Sequence, residues 1–360
     1  MHDTFLRNLT LDIYGGSHDP QIGIRAGGFP KDEAVDTDAL QAFLARRAPG
    51  STKFGTHRTE TDIPHFLWGI KDGKTDGGVI EAVIYNKNQR SGDYPAVPDV
   101  PRPSHADYAA IVKYGGAVDL RGGGHFSARL TAPLCVAGGI ALQILARRGI
   151  RIGAHIAAVE NEHDVLFDGV RVSETELDLL LARSAFPVLD TAAGERMQAA
   201  IETARADGDS VGGVIECAVL GLPVGLGEHI FWGMENRIAH LAFGIPALKG
   251  IEFGTGFSAA SMRGSAANDP LRTDGKRIFM ETNHSGGIQG GMTCGMPLIF
   301  RGALKPTPSI AKEQKSVSLS KMENTTLTVG GRHDPCVAVR AVPIFEAVAA
   351  LAVLDALLDT

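Results

Sequence analysis

Cysteine is scarce in this chain: four residues, at 135, 217, 294 and 336, with no CxxC pair and no metal-ligand spacing. That speaks against a thiolate zinc site or a disulfide framework and matches the usage of a reduced, intracellular protein with no bound metal. Basic charge is not in excess either. Thirty-five Lys and Arg face 41 Asp and Glu, a net charge of −6, which argues against the broad basic face of a general nucleic-acid binder. No apolar run reaches the roughly 18 residues of a membrane span, and the opening MHDTFLRNLTLDIYGG lacks the apolar centre of a signal peptide. The expected location is the cytoplasm, with no membrane or nucleic-acid partner. Ser- or Pro-rich linkers are absent too, so the expectation for residues 1–360 is one α+β domain, with helices as an inner layer and strands outside.

What the chain has in excess is glycine: 44 residues, about one in eight, against a usual share of roughly 7%. No collagen-like period explains them. They cluster at 77–78, 122–124, 286–287 and 290–291. Turns in a loop-rich fold would use glycine this way, and so would backbone N–H groups packed around an anionic or planar ligand.

Periodicity predicts helices over 36–49 and 105–116, and two segments apolar nearly all round, 128–148 and 342–359, fit helices buried on most sides. Strands are expected over 77–86, 210–223 and 294–304. GGVIE recurs at 77–81 and 212–216, a weak hint of internal duplication. Connections around 87–104 and 254–295 are too long to be idle and are where a site is expected.

Nucleotide loops fail on inspection. Residues 254–259 fit G-x-G-x-x-A, but no helix or βαβ series follows. GIKDGKT has its first glycine one residue late for a Walker loop, and Gly122–Gly124 is followed by Ser127 where a dinucleotide fingerprint needs glycine. Three polar clusters remain: YGGSHDP with Ser17 and His18, PRPSHADY with Arg102 and His105, and GGRHDPC with Arg332, His333 and Asp334. Each histidine has an ordinary structural reading, but imidazoles also exchange protons near neutrality. Around them Arg46, Arg47, Lys53, Arg58, Arg121, Arg129 and Lys305 lie mostly in Gly/Pro-punctuated loops or at helix ends. Guanidinium forks there suit carboxylate or phosphate groups.

Over nearly its whole length the chain resembles the chorismate synthase family. The resemblance rests on GGSHD (15–19), NQRSGDY (88–94), RPSHADY (102–108), KYGGAVDLRGGGHFSAR (113–129), RIAHLAFGIPALKGIEFGTGF (237–257), GSAAND (264–269), NHSGGIQGG (283–291), KPTPSI (305–310) and GRHDPCVAVRAVP (331–343), in the family's order. It implies a β-α-β sandwich, with a helical layer between antiparallel sheets, and usually a homotetramer. The implied reaction is 1,4-anti elimination of phosphate from 5-enolpyruvylshikimate 3-phosphate to give chorismate, with reduced FMN and no net redox change. By the same resemblance His18 serves the leaving phosphate, His105 the flavin, and Ser17 with Asp334 the departing proton. Anionic substrate groups fall to Arg46, Arg47, Arg58, Arg121, Arg129 and Arg332. The flavin falls to His105, Gly124, Ser127, Arg129, Asn268, Gly290, Lys305, Thr307 and Ser309.

Four positions depart from the family pattern: Gly16 and Asp19 in GGSHD, where the family has GESHG, and His125 and Leu130, where it has RGGGRSSARE. An aspartate beside His18 would favour the imidazolium but repel a phosphate. With both histidines, Ser17 and Asp334 in place, an active if divergent enzyme is expected. The alternatives are a flavin-binding member with changed substrate or lost catalysis, and a structural protein with glycine-rich turns. No added domain or dinucleotide loop is seen, so an external reductant for the flavin is expected rather than an intrinsic NAD(P)H-dependent activity.

Overall fold

Two antiparallel sheets flank a layer of helices in the computed structural model, which describes residues 4, 6–50, 54, 60–87, 97–330 and 334–359. The first sheet holds β1 (Thr10–Gly15), β2 (Gln21–Gly27), β3 (His65–Trp68) and β4 (Ile80–Tyr85), in the order β1-β2-β4-β3. The second holds β5 (Arg151–Val159), β6 (Glu162–His163), β7 (Gly213–Leu220), β8 (Leu248–Phe253) and β9 (Leu298–Leu304), in the order β8-β9-β7-β5-β6. Helices of eight residues or more are α1 (Thr37–Arg47), α2 (Asp107–Tyr114), α3 (Thr131–Arg147), α4 (Glu174–Ala182), α5 (Thr191–Ala206), α6 (Met234–Ala242) and α7 (Ala338–Leu357).

The two apolar segments form the centre. A helix apolar all round must be covered all round: α3 packs on β2 and β4, α7 on β5 and β7, and the two pack on each other. Gly138 sets their separation. A Cβ there would lie 2.3 Å from the Ala347 Cβ, so only glycine allows this approach. Residues Ala128–Arg147 are the one helix among the described residues long and apolar enough to cross a membrane, and most of that stretch is buried in the molecule. The inner sheet faces follow the period of two: Ile22, Ile24 and Ala26 point to the helices, while Arg25 points out. Both copies of GGVIE enter inner strands, β4 and β7, one in each sheet.

Element ends differ from the sequence expectation for local reasons. The strand expected from 77, β4, begins at Ile80, because the Asp76 side chain accepts from the Gly78 N–H (2.7 Å) and closes a turn. The last helix begins four residues before 342, at Ala338. The 254–295 connection is no open loop. It carries short ladders pairing 271–273 with 278–280 and 288–289 with 292–293. All four thiols are free, and burial pushes Cys135 and Cys336 up to about 12, which keeps them protonated.

On the side of β5 away from α7 a charged cluster is buried. His155, fully enclosed, lies 3.0 Å from Asp164 through Nδ1 and 3.0 Å from Glu216 through Nε2. Glu216 also accepts from the Phe167 N–H and from Arg301, which is held in turn by Glu252. Asp164 accepts from the N–H groups of Leu189 and Asp190. Burial pulls the imidazole downward, but hydrogen bonds to two carboxylates outweigh it and raise His155; burial opposes ionisation of Asp164, yet its hydrogen bonds from His155 and two N–H groups hold it low. A raised histidine stabilises fully below its unfolded value of about 6.5 and loses that contribution as pH climbs through the folded value. A depressed aspartate contributes above about 3.9 and loses it as pH falls. The stability advantage of the native chain over His155→Gln should therefore peak between about pH 4 and 6.5 and shrink toward alkaline pH. Urea titrations across that range check it; a gap that stays constant into alkaline pH contradicts it.

Candidate functional site

The β1–β2 turn carries Ser17 and His18, and it is pinned to the triple glycine. The Ser17 N–H donates to the Gly124 carbonyl (3.2 Å). Gly122, Gly123 and Gly124 all have positive φ (56°, 94° and 53°), a run other residues rarely adopt. This brings the backbone against both imidazoles. A Cβ on Gly122 would stand 2.3 Å from His18 Cε1 and 2.9 Å from Ser17 Oγ, and one on Gly123 would stand 3.6 Å from His105 Nε2 and 3.3 Å from the Ser127 Cβ. The glycine run answers to packing against polar side chains, and three expected site residues (Ser17, His18, His105) meet along it.

His105 precedes α2 and bonds through Nδ1 to Asp107 (2.6 Å). Arg102 grips the same carboxylate bidentately, at 2.7 Å through Nε and 2.7 Å through Nη2. Burial opposes ionisation of Asp107, but the Arg102 and His105 hydrogen bonds hold its carboxyl well below the usual range. Arg102 also reaches Ser309 Oγ (3.5 Å), and Lys305 donates to the Ser104 carbonyl (2.5 Å). Burial, with Lys249 nearby, draws the Lys305 ammonium below its ordinary value. Ser210 Oγ donates to the Thr307 carbonyl (2.7 Å), so the 305–309 segment is held alongside.

A second cluster adjoins the first through Asn86, just past β4. Its amide donates to the Asp19 carbonyl (2.7 Å) in the Ser17–His18 turn and accepts from Arg129 Nε (3.0 Å). Arg129 pairs with Asp62, and Arg47 lies 3.3 Å from the same carboxylate. Arg340 donates to the Arg47 carbonyl (3.0 Å) and pairs with Asp334 (2.6 Å). Among the described residues, three guanidiniums thus face two carboxylates. Burial, partly offset by Asp62, and the neighbouring Arg340 and Arg129 push Arg47 down to about 10, still cationic at neutral pH. Burial works against Asp62 ionising, but Arg47 and Arg129 hold it below its usual range. Arg47 and Arg129 are 1% and 5% exposed, and among the described residues Nη2 of each has no hydrogen-bond partner. Buried unpartnered donors cost free energy unless an acceptor meets them.

Other expected residues lie elsewhere. Arg46 turns away from Arg47 and pairs bidentately with Glu346 (2.6 and 2.8 Å). It lines a different, mostly apolar cavity of about 520 Å³ between α1, α3, β5 and α4, which contains neither histidine. Arg121 is claimed by its neighbour Asp119 (2.6 Å) and is about one-third exposed. The Arg121 hydrogen bonds, with His18 nearby, keep the Asp119 carboxyl low. Asn268 and Gly290 are exposed, and among the described residues no hydrogen bond joins either to the histidine cluster. Arg58, Arg332, Lys53 and His333 lie outside the described residues, as does the 88–94 segment.

The four departures also find places. A Cβ on Gly16 would sit 3.2 Å from Asp19 Oδ2, so the carboxylate lost at 16 and the one gained at 19 crowd the same spot. Leu130 packs on the main core, and His125 is exposed. Asp62, Asn86, Asp107 and Arg340 were not singled out from sequence. Asp107 has a signal, a carboxylate two residues from a candidate histidine, and Arg340 stands six residues from Asp334 in the GRHDPCVAVRAVP stretch.

The family model described as "Chorismate synthase" matches residues 9–358. Chorismate synthase of Lancefieldella parvula is 44% identical over 99% of this chain and 96% of its own length. That of Korarchaeum cryptofilum is 42% identical over 98% and 96%, and that of Thermococcus kodakarensis 40% over 97% and 96%. A crystal structure of chorismate synthase superposes with a TM-score of 0.74 at 25% identity, covering 99% of this chain and 93% of that one.

Proposed function

Because the chain belongs to the chorismate synthase family of lyases, we propose that it converts 5-enolpyruvylshikimate 3-phosphate to chorismate and phosphate by 1,4-anti elimination, with reduced FMN and no net redox change. The observation that carries this reading is the cationic excess of Arg47, Arg129 and Arg340, the first two of them buried, beside two imidazoles. A substrate with two carboxylates and a phosphate would meet the open guanidinium donors.

Reduced FMN suits the residues present. An anionic ring and a phosphate ester call for cations and hydroxyls, and His105, Lys305, Ser127 and Ser309 lie along one connected set of contacts with the Gly123–Gly124 backbone. When bound, it supplies electron density to the breaking C–O bond. The chain's own groups do the rest. Arg47 and Arg129 orient the substrate's anions, and the closed glycine turn keeps water from the reacting face. The His18 imidazole donates its proton to the departing phosphate oxygen. The Ser17 hydroxyl and the Asp334 carboxylate, the latter steadied by Arg340, carry off the proton lost from carbon. His105 steadies negative charge on the flavin ring.

As part of the same reading the chain works as a single domain in the cytoplasm, assembled as a homotetramer, and draws its reduced flavin from an external reductant. Exposed Trp68, Phe231, Phe257 and Ile278 supply apolar surface for subunit contact. Anaerobic incubation with chemically reduced FMN and substrate should release chorismate and phosphate in equal amounts. Flavin binding without product would favour a member with another substrate, and no flavin binding would favour a structural role.

A further inference from the structure

We propose that Asp107 is a positioning residue for His105: together with Arg102 it locks the imidazole in the Nδ1–H form and turns Nε2 toward Gly123. The proposal rests on the reading of His105 as the group that faces the flavin.

Asp107 is fully buried, in the first turn of α2. Its two oxygens take four donors. Oδ2 accepts from the Arg102 N–H (3.0 Å) and Arg102 Nε (2.7 Å), and Oδ1 from Arg102 Nη2 (2.7 Å) and His105 Nδ1 (2.6 Å). A carboxylate has about four lone-pair sites, so this one is filled. With three donors from Arg102 it is ionised and can only accept. His105 Nδ1 must then carry a hydrogen, whatever the protonation of the far nitrogen. Nε2 is the ring atom nearest to where a Cβ on Gly123 would stand, at 3.6 Å. Fixing Nδ1 therefore decides which nitrogen meets a ligand, and in which state. Other charges facing this ring are Arg102, already committed to Asp107, and Lys305, held one residue away on the Ser104 carbonyl.

Asparagine at 107 keeps the shape but replaces one acceptor by a donor. At the Oδ2 position its NH₂ would oppose two Arg102 N–H groups. At the Oδ1 position it opposes only one, and there it donates to His105 Nδ1. That forces the hydrogen to Nε2. In serine-protease triads the same exchange leaves geometry intact and costs about 10⁴ in kcat through the wrong tautomer.

The test combines histidine ¹⁵N NMR at about pH 8.5, where an ordinary imidazole is neutral, with turnover of the reduced-FMN enzyme. His105→Ala assigns the His105 resonances. The native protein should show the Nδ1–H tautomer, and Asp107→Asn the Nε2–H tautomer with kcat lower on the order of 10²-fold. An Nε2–H signal in the native protein overturns the proposal, and that measurement stands even if Asp107→Asn fails to fold. So does an Asp107→Asn enzyme with native tautomer and turnover while His105→Ala has lost activity. If His105→Ala itself keeps full turnover, the functional reading of His105 falls, and the tautomer data still decide what Asp107 does to the ring.

Discussion

Gly122→Ala is expected to lower turnover about 10²–10⁴-fold, the loss assigned to removing a positioned acid–base group. The added methyl has nowhere to go. It would meet His18 Cε1 at 2.3 Å, Nδ1 at 2.6 Å and Ser17 Oγ at 2.9 Å, all side-chain atoms of the turn that delivers the imidazole. The backbone cannot relax easily, because φ is 56° and the Ser17 N–H is tied to Gly124. The left-handed conformation costs a non-glycine residue about 1–2 kcal/mol, too little to unfold a domain of this size but enough to favour displacing His18. His18→Ala should lose a similar factor. If Gly122 acts through His18, the double variant should be no slower than His18→Ala alone. Initial rates of phosphate release compare the three proteins. Multiplying losses in the double variant would separate the two residues.

Asp355→Ala should cost about 3–5 kcal/mol of stability, the usual consequence of stripping one partner from a buried ion pair. Asp355 is fully buried in α7 and pairs with Arg237 of α6, itself 2% exposed. The same carboxylate accepts from the backbone N–H groups of Asn8 and Leu9, both at 2.8 Å, which lead into β1. Alanine would leave a buried guanidinium short of charge and two donors short of acceptors. Arg237 keeps Asp359, so part of its charge stays compensated. Urea unfolding reads the effect as a lower midpoint at unchanged slope. A change below about 1 kcal/mol would mean that the Arg237–Asp355 pair adds little over solvation.

Much of the architecture is legible in the linear pattern. Segments apolar on every side at 128–148 and 342–359 have only one stable home, between two sheets, and α3 and α7 occupy it. Strand ends were less legible, since a single Asx turn at Asp76 moved one boundary by three residues. In the site, the glycine run and its two histidines stood out because their clustering is unusual for any chain. Asp62, Asn86 and Arg340 did not. Nothing in their own stretches marks the contacts with residues 43 to 293 positions away that place them in the site.

Arg46 and Arg47 mark where sequence information ends. By itself the sequence determines that α1 ends in two adjacent cations, because residue type, periodicity and the following proline are local properties. Successive residues on a helix point about 100° apart, so the two diverge: Arg46 to Glu346, Arg47 to Asp62, Arg129 and the Arg340 beside Asp334. Only the packing of α1 against α3 and α7 decided which of them stands in the cationic cluster, because a charge acquires its partners from the surfaces that folding brings together.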